Sequence, residues 1–360
     1  MKILFVTDLY PIGEENIAKA LFYFVQEWKN QGHEIEVIRA NYITNTKLRG
    51  RKIINEKIYF EQDIKIYNLN FKTPFLFNVY NKLPKDFSLK NYDVLISHMP
   101  CGNLMAQKLL KKDKIKYVCS VHNSDITVLT NIKYLPFRNA IKKGYKLADK
   151  ISARSPILQE KIEKIYPNDK TFVAPSGVEE NTIEAKITFN KNPLTITTVA
   201  SLIKRKNIDI IIKSVKEMEN ITLNIIGDGK EEKRLKALAK KNENIKFLGK
   251  LPHNEVLEKL KNSDVFVLLS KNETFGLCYL EAMAKGNIVI AKKDDGIDGI
   301  LINEENGFLI NATKEDLKKC LNKILSLHEE EIAQIRANSY NTIKSLTSFI
   351  TSKNYLKNIK

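Results

Sequence analysis

Short apolar, β-branched runs recur along the whole chain with helical stretches between them, and this alternation constrains the fold more than any other feature. In the first half the runs are 3–7, 34–38, 94–97, 117–121, 150–153 and 171–174; in the second they are 194–200, 222–226, 245–248, 265–269 and 288–291. Between the first two lies 16–30, where Ile17, Ala20, Leu21, Phe24 and Trp28 share one helical face and Gly32 follows as a stop signal. Strand, amphipathic helix, strand at this spacing is a βαβ unit, so parallel sheets covered by helices on both faces are expected. The stretches 231–240, 254–261 and 277–285 read as the intervening helices of the second half.

A chain of 360 residues is too long for one ordinary core. Two doubly wound, Rossmann-like α/β domains are expected, at 1–180 and 194–335. The polar stretch 181–193, closed by Pro193, reads as the linker, and 336–360 as a C-terminal helix packing back toward the first domain. Two such domains facing each other leave a crevice at the carboxyl ends of both sheets.

No apolar run approaches the ~18 residues of a membrane-spanning helix. The first residues lack the pattern of a signal peptide, so a cytoplasmic protein is expected. The cysteines Cys101, Cys119, Cys278 and Cys320 show no C-x-x-C spacing and read as buried thiols. Lys and Arg number 59 against 42 Asp and Glu, a net charge of +17. Residues 1–180 carry 29 of those bases and 19 of the acids (29 − 19 = +10), so both halves are basic and the first more so. Such a chain favours anionic partners. In 41–90, basic residues stand beside Phe71, Phe75, Phe77 and Tyr80. These aromatics read as core or as a patch entering an anionic membrane surface on its inner face. The basic stretches 108–116 and 142–150 read as solvated faces, or as contacts to a phosphorylated or membrane-bound acceptor.

The strongest local signal runs from Ser270 to Gly286, after the buried run 265–269. A helix starting near Gly276 would aim free N–H groups of 275–278 into the crevice, which is an anion site suited to a diphosphate. Glu273 would stand in the loop before that helix and Glu281 more than a turn inside it. Two carboxylates so placed can accept hydrogen bonds from sugar hydroxyls at either end of a nucleotide sugar.

This segment resembles the Glu-x7-Glu motif of glycosyltransferase family 4, retaining nucleotide-sugar enzymes of GT-B fold. The resemblance extends over nearly the whole chain. Thr198–Asn207 is similar to the family's Val-Gly-Arg-Leu-x-x-x-Lys-Gly, and Gly227-Asp228-Gly229 to its Gly-Asp-Gly turn. Phe247-Leu248-Gly249, Asn306-Gly307, His122-Asn123-Ser124-Asp125 and Pro175-Ser176-Gly177-Val178 follow in the family's order. The resemblance implies that Lys206 binds the donor diphosphate, Glu281 the ribose and Glu273 the transferred sugar. It further implies donor contacts from Thr274, Phe275, Gly276, Leu277 and Gly227, a nucleobase site near Phe247 and Leu251, and His122 reaching the sugar from the other domain. His98 is given no role.

The departures fall at identifiable places. Ser201 stands where the family has arginine, with Lys204 or Arg205 as stand-ins. Ala200 and Asn207 replace glycines. The loop after the first strand keeps one glycine, Gly13, on the donor side. Asp295-Gly296-Ile297-Asp298-Gly299 stands where the family has a glutamate.

The expected activity is transfer of a sugar, with retention, from a UDP- or GDP-sugar to a saccharide or lipid-linked acceptor. Surface polysaccharide, lipooligosaccharide or glycolipid synthesis is the expected setting. No cofactor and no metal are expected, because Lys206 and the helix start supply positive charge and no Asp-x-Asp pair occurs in the donor segments. A non-hydrolysing sugar-nucleotide epimerase would need more histidines than the five present. A nucleic-acid-binding protein would need a basic stripe or a binding motif, so no nucleic-acid partner is expected.

Overall fold

The computed structural model describes residues 1–11, 19–42, 55–71, 82–185, 188–240 and 242–360. Gly13, Ile17, Phe75, Phe77 and Tyr80 lie outside them. The chain divides into two compact units: 1–154, 158–174 and 352–360 form the first, and 155–157 with 175–351 the second.

The first unit holds β1 (Lys2–Thr7), β2 (Glu34–Tyr42), β3 (Ile58–Glu61), β4 (Ile64–Phe71), β5 (Val94–His98), β6 (Lys116–Val121), β7 (Lys150–Ala153) and β8 (Thr171–Val173). Their order is β3-β4-β2-β1-β5-β6-β7-β8. All neighbours are parallel except the β3–β4 hairpin. Helix Lys19–Asn30 buries Leu21, Phe24, Val25 and Trp28, the i, i+3, i+4, i+7 face, and ends before Gly32 in the left-handed region. Phe71 is buried in the core, which removes it from any membrane patch.

The second unit holds β9 (Leu194–Val199), β10 (Ile221–Ile226), β11 (Ile245–Gly249), β12 (Val265–Leu268), β13 (Ile288–Lys292) and β14 (Phe308–Ile310), ordered β11-β10-β9-β12-β13-β14 and all parallel. In chain order this is 3-2-1-4-5-6, the doubly wound arrangement whose strand order reverses between β9 and β12. Those two strands pair only at Val265–Ile196 and Phe266–Thr197. Their carboxyl ends are therefore free to diverge, and the loops that follow them meet at the switch point.

The division differs from the expected one at both ends of the second unit. Residues 181–193 are not a separate linker. Glu184 N–H donates to Ala284 O, and Asn190 N–H to Asp264 Oδ1 at 2.9 Å, which ties this stretch to the second unit. Helix Glu329–Lys344 also belongs there and buries Ile332, Ile335 and Ile343. Only 352–360 joins the first unit. Trp28 Nε1 donates to Ser352 O at 3.0 Å, and Tyr355, Leu356 and Ile359 complete the cluster around Trp28. Polarity suggested a linker because the stretch has few apolar residues; its backbone bonds hold it instead.

Candidate active site

The loop after β9 turns through a short 3-10 segment, Lys204–Lys206, and reverses at Asn207, whose φ of 53° is left-handed. Asparagine tolerates that region better than other non-glycine residues, which explains why it can stand where the family has glycine. Asn207 Nδ2 donates to Leu269 O at 2.8 Å, and Lys271 N–H donates to Arg205 O at 2.7 Å. These two bonds stitch the β9 loop to the β12 loop. They bring Lys206 to Glu273, and the two side chains form a mostly buried ion pair.

Around that pair, Ser270 Oγ donates to Glu273 Oε2 at 2.9 Å, and Arg205 Nη1 lies 3.5 Å from the same oxygen. Burial pushes the Glu273 carboxyl up, but Lys206, Arg205 and Ser270 together outweigh it and hold the group below its ordinary range. Glu273 is therefore a carboxylate at neutral pH. Of the two stand-ins for the missing arginine, Arg205 reaches Glu273, whereas Lys204 takes part in no ion pair among the described residues.

Asp295, just past β13, fixes the loop that carries Glu273. Its carboxylate accepts from Asn272 N–H at 2.6 Å, Glu273 N–H at 2.8 Å and Gly296 N–H at 2.9 Å. Sequence reasoning noted only that a glutamate was absent nearby. The available signal was an Asp-Gly pair after a buried strand. Asp295→Ala leaves these N–H groups without their charged acceptor, at about 1.5–3 kcal/mol per bond. We expect kcat/KM to fall roughly 10–100-fold, with Asp295→Asn recovering part, as steady-state kinetics of the two variants will show.

Helix Leu277–Ala284 starts at Gly276, whose φ is 88°, and no side chain caps it. A Cβ on Gly276 would stand 2.6 Å from the Tyr279 ring, so this start requires glycine. Phe275 is buried, while Thr274, Gly276 and Leu277 are half-buried beside Glu273. The first turn carries no acidic residue, so its positive end is not neutralised from within. Burial pushes the Cys278 thiol up to about 12, so it stays protonated and is no nucleophile. One turn on, Glu281 Oε1 lies 2.9 Å from His253 Nε2. His253 opens the helix after β11 and was missed from the sequence, because a histidine after Pro252 has no fixed spacing to Glu281.

Gly227 and Gly229 seat the β10 turn against the β9 loop. A Cβ on Gly227 would stand 2.0 Å from Ala200 O, and one on Gly229 2.5 Å from Leu202 O. Phe247 and Leu251 are half-buried beside the core, on β11 and just after it. Gly249, between them, accepts from Gly227 N–H at 2.7 Å.

In the first unit His122 is not the isolated histidine that the sequence suggests. His98, set aside above, is fully buried at the end of β5, and its Nδ1 lies 3.1 Å from His122 Nε2. Burial, then the neighbouring Arg154 charge, lowers His122 to about 3; burial likewise drives His98 well below its ordinary range. Both rings are neutral at pH 7. Asp125 accepts from His122 N–H at 3.0 Å and from Asn103 Nδ2 at 3.1 Å, and burial pushes its carboxyl up to about 7.

Residues 17–182 match the model described as Glycosyltransferase Family 4, and residues 179–342 match that of Glycosyl transferases group 1. The chain is a GT-B glycosyltransferase of the family 4 type. This glycosyltransferase is 26% identical over 298 residues to N-acetyl-alpha-D-glucosaminyl L-malate synthase of Bacillus anthracis, covering 78% of this chain and 76% of that one. It is 21% identical to a phosphatidylinositol N-acetylglucosaminyltransferase subunit of Arabidopsis thaliana, over 91% of this chain and 75% of that one. Its fold is shared with the crystal structure of Anabaena Alr3699/HepE in complex with UDP. There the TM-score is 0.78 at 16% identity, with 99% of each chain covered.

Proposed function

We propose that the enzyme transfers a sugar, with retention of anomeric configuration, from a nucleoside diphosphate sugar to a saccharide or lipid-linked acceptor. The observation that carries this reading is the meeting of Lys206, Arg205 and Glu273 beside the uncapped start of helix Leu277–Ala284, at the switch point of the second sheet. Cations and a helix N-terminus suit a diphosphate, and a carboxylate suits sugar hydroxyls. Glu281, positioned by His253, accepts the ribose hydroxyls. Two relatives whose names carry an N-acetylglucosaminyl group support a hexose-type donor sugar.

Lys206 and the helix start stabilise the charge that grows on the departing diphosphate, and no protein nucleophile is needed. The compensating positive charge comes from Lys206 and the helix start, so donor binding is metal-independent. The protein works on the cytoplasmic side, in surface polysaccharide, lipooligosaccharide or glycolipid synthesis.

Titration with UDP- and GDP-sugars, followed by thermal shift in the presence of chelator, tests the reading. One of the two series stabilises the protein, and Glu281→Gln weakens that donor by about 1.5–3 kcal/mol. Stabilisation by neither series, or unchanged affinity in Glu281→Gln, overturns it.

A further inference from the structure

Between Asp125 and Asp149 the chain carries no carboxylate, yet it holds Lys133, Arg138, Lys142, Lys143 and Lys146. Among the described residues none of these five cations takes part in an ion pair. Lys133 lies in the 3-10 turn Ile132–Tyr134, and helix Leu135–Leu147 sets the other four in place. Its inner face buries Ile141, Gly144, Tyr145 and Ala148, with Gln107 Nε2 donating to Ala140 O at 2.9 Å across to the neighbouring helix. The 3.6-residue period then puts Leu135, Asn139, Lys142 and Lys146 on the opposite side, with Lys143 beside them, and all five are exposed.

The second feature is apolar. Ile132 is 78% exposed and Leu135 57%, and Tyr134 stands with them at the helix entrance. Among the described residues nine large apolar side chains are exposed, and four of them (Ile132, Tyr134, Leu135 and Leu147) lie in this one stretch. Exposed single apolar residues need no explanation, but a cluster beside an unpaired basic face does.

We infer that this face of the first unit docks on an anionic lipid bilayer. The charge complementarity is one-sided: four exposed lysines (Lys133, Lys142, Lys143 and Lys146), in a stretch that carries no carboxylate, meet a negatively charged headgroup layer. The apolar side chains discriminate among anions. A soluble polyanion would satisfy the lysines and leave Ile132 and Leu135 in water, whereas a bilayer offers phosphate at one depth and acyl chain just below. Tyrosine suits the boundary between them, and lysine stems reach across it. The face differs from the aromatic stretch of 41–90 to which the sequence pointed. It lies in the first unit, whereas Lys206, Arg205, Glu273 and Glu281 of the donor-site reading belong to the second.

Vesicle flotation of the full chain tests this, with phosphatidylcholine vesicles against vesicles that also contain phosphatidylglycerol. The protein is expected to float with the anionic vesicles alone. Ile132→Ser with Leu135→Ser lowers binding on the order of tenfold or more, from lost apolar burial. Lys142→Glu with Lys143→Glu and Lys146→Glu lowers it on the order of a hundredfold, at about fivefold per cation. All these positions are exposed, so the variants keep the parent's melting temperature and nucleotide affinity, which separates lost docking from a failed donor site. Equal flotation with both vesicle types, no flotation with either, or parent-like binding by either variant overturns the inference. Capture by an acidic protein or polyphosphate without vesicle binding does the same.

Discussion

Replacing Lys206 with alanine lowers turnover by ~10²–10³ while weakening the donor far less. Charge accumulates on the diphosphate as the glycosidic bond breaks, so a fixed cation aimed there stabilises the transition state more than the bound donor. The fold adds a second cost. Lys206 is the chief cation holding Glu273 as a carboxylate in a mostly buried site. Without it only Arg205 and Ser270 remain, and burial drives the Glu273 pKa upward. Activity of Lys206→Ala should therefore fall further as pH is lowered, in a range where the parent is flat. Arg205→Ala has a smaller effect, since that side chain is more exposed and its contact longer. Turnover and donor dissociation constant, measured across pH, decide this. A variant with weakened binding but normal turnover would show that Lys206 acts in the ground state. NMR of the product's anomeric configuration checks retention at the same time.

Acidification below pH 6.5 destabilises the protein through His98 and His122, before the ordinary carboxylates titrate. Both histidines are neutral in the folded state, with pKa values pushed below the ~6.5 of an unfolded chain. Below about pH 6.5 the unfolded chain binds more protons at both sites, at His122 down to about pH 3, so stability falls as pH falls. Asp125 works in the opposite direction. Its folded pKa is raised to about 7, so it takes up a proton on folding and gains stability on acidification over much of the same window. Two histidines against one aspartate leave a net loss of stability on acidification, at about 1.4 kcal/mol per pH unit for each net proton. Glu273, held low, adds to the loss only as pH falls below the ordinary carboxylate range. Urea unfolding at a series of pH values measures the slope, and His98→Leu, which removes one of the two histidine protons, should flatten it. A slope unchanged in that variant would show that the pair carries no such linkage.

Much of this protein was determined by local sequence alone. The alternation of buried runs with amphipathic helices dictated two parallel α/β units, because a βαβ crossover leaves a chain few other ways to cover both faces of its sheet. The start of the helix near Gly276 was equally legible, since a small residue after a buried run and a short polar loop lets the backbone come close to an anion; that a left-handed N-cap pressed against Tyr279 admits only glycine followed from the structure. The tertiary structure decided what depends on residues far apart in the chain. Arg205, rather than Lys204, faces Glu273 because a 3-10 turn and the Asn207 reversal rotate successive side chains to different sides. Asp295 holds the Glu273 loop from a different strand, and His253 reaches Glu281 from a different helix. His122 has a buried partner because β5 and β6 are neighbours in the sheet. The assignment of 181–193 to the second unit rests on backbone hydrogen bonds, which leave no trace in composition. The basic, apolar face of helix Leu135–Leu147 was half visible as a run of lysines; that Ile132 and Leu135 stand in solvent beside it followed only from packing, which buries Ile141 and Tyr145 on the other side.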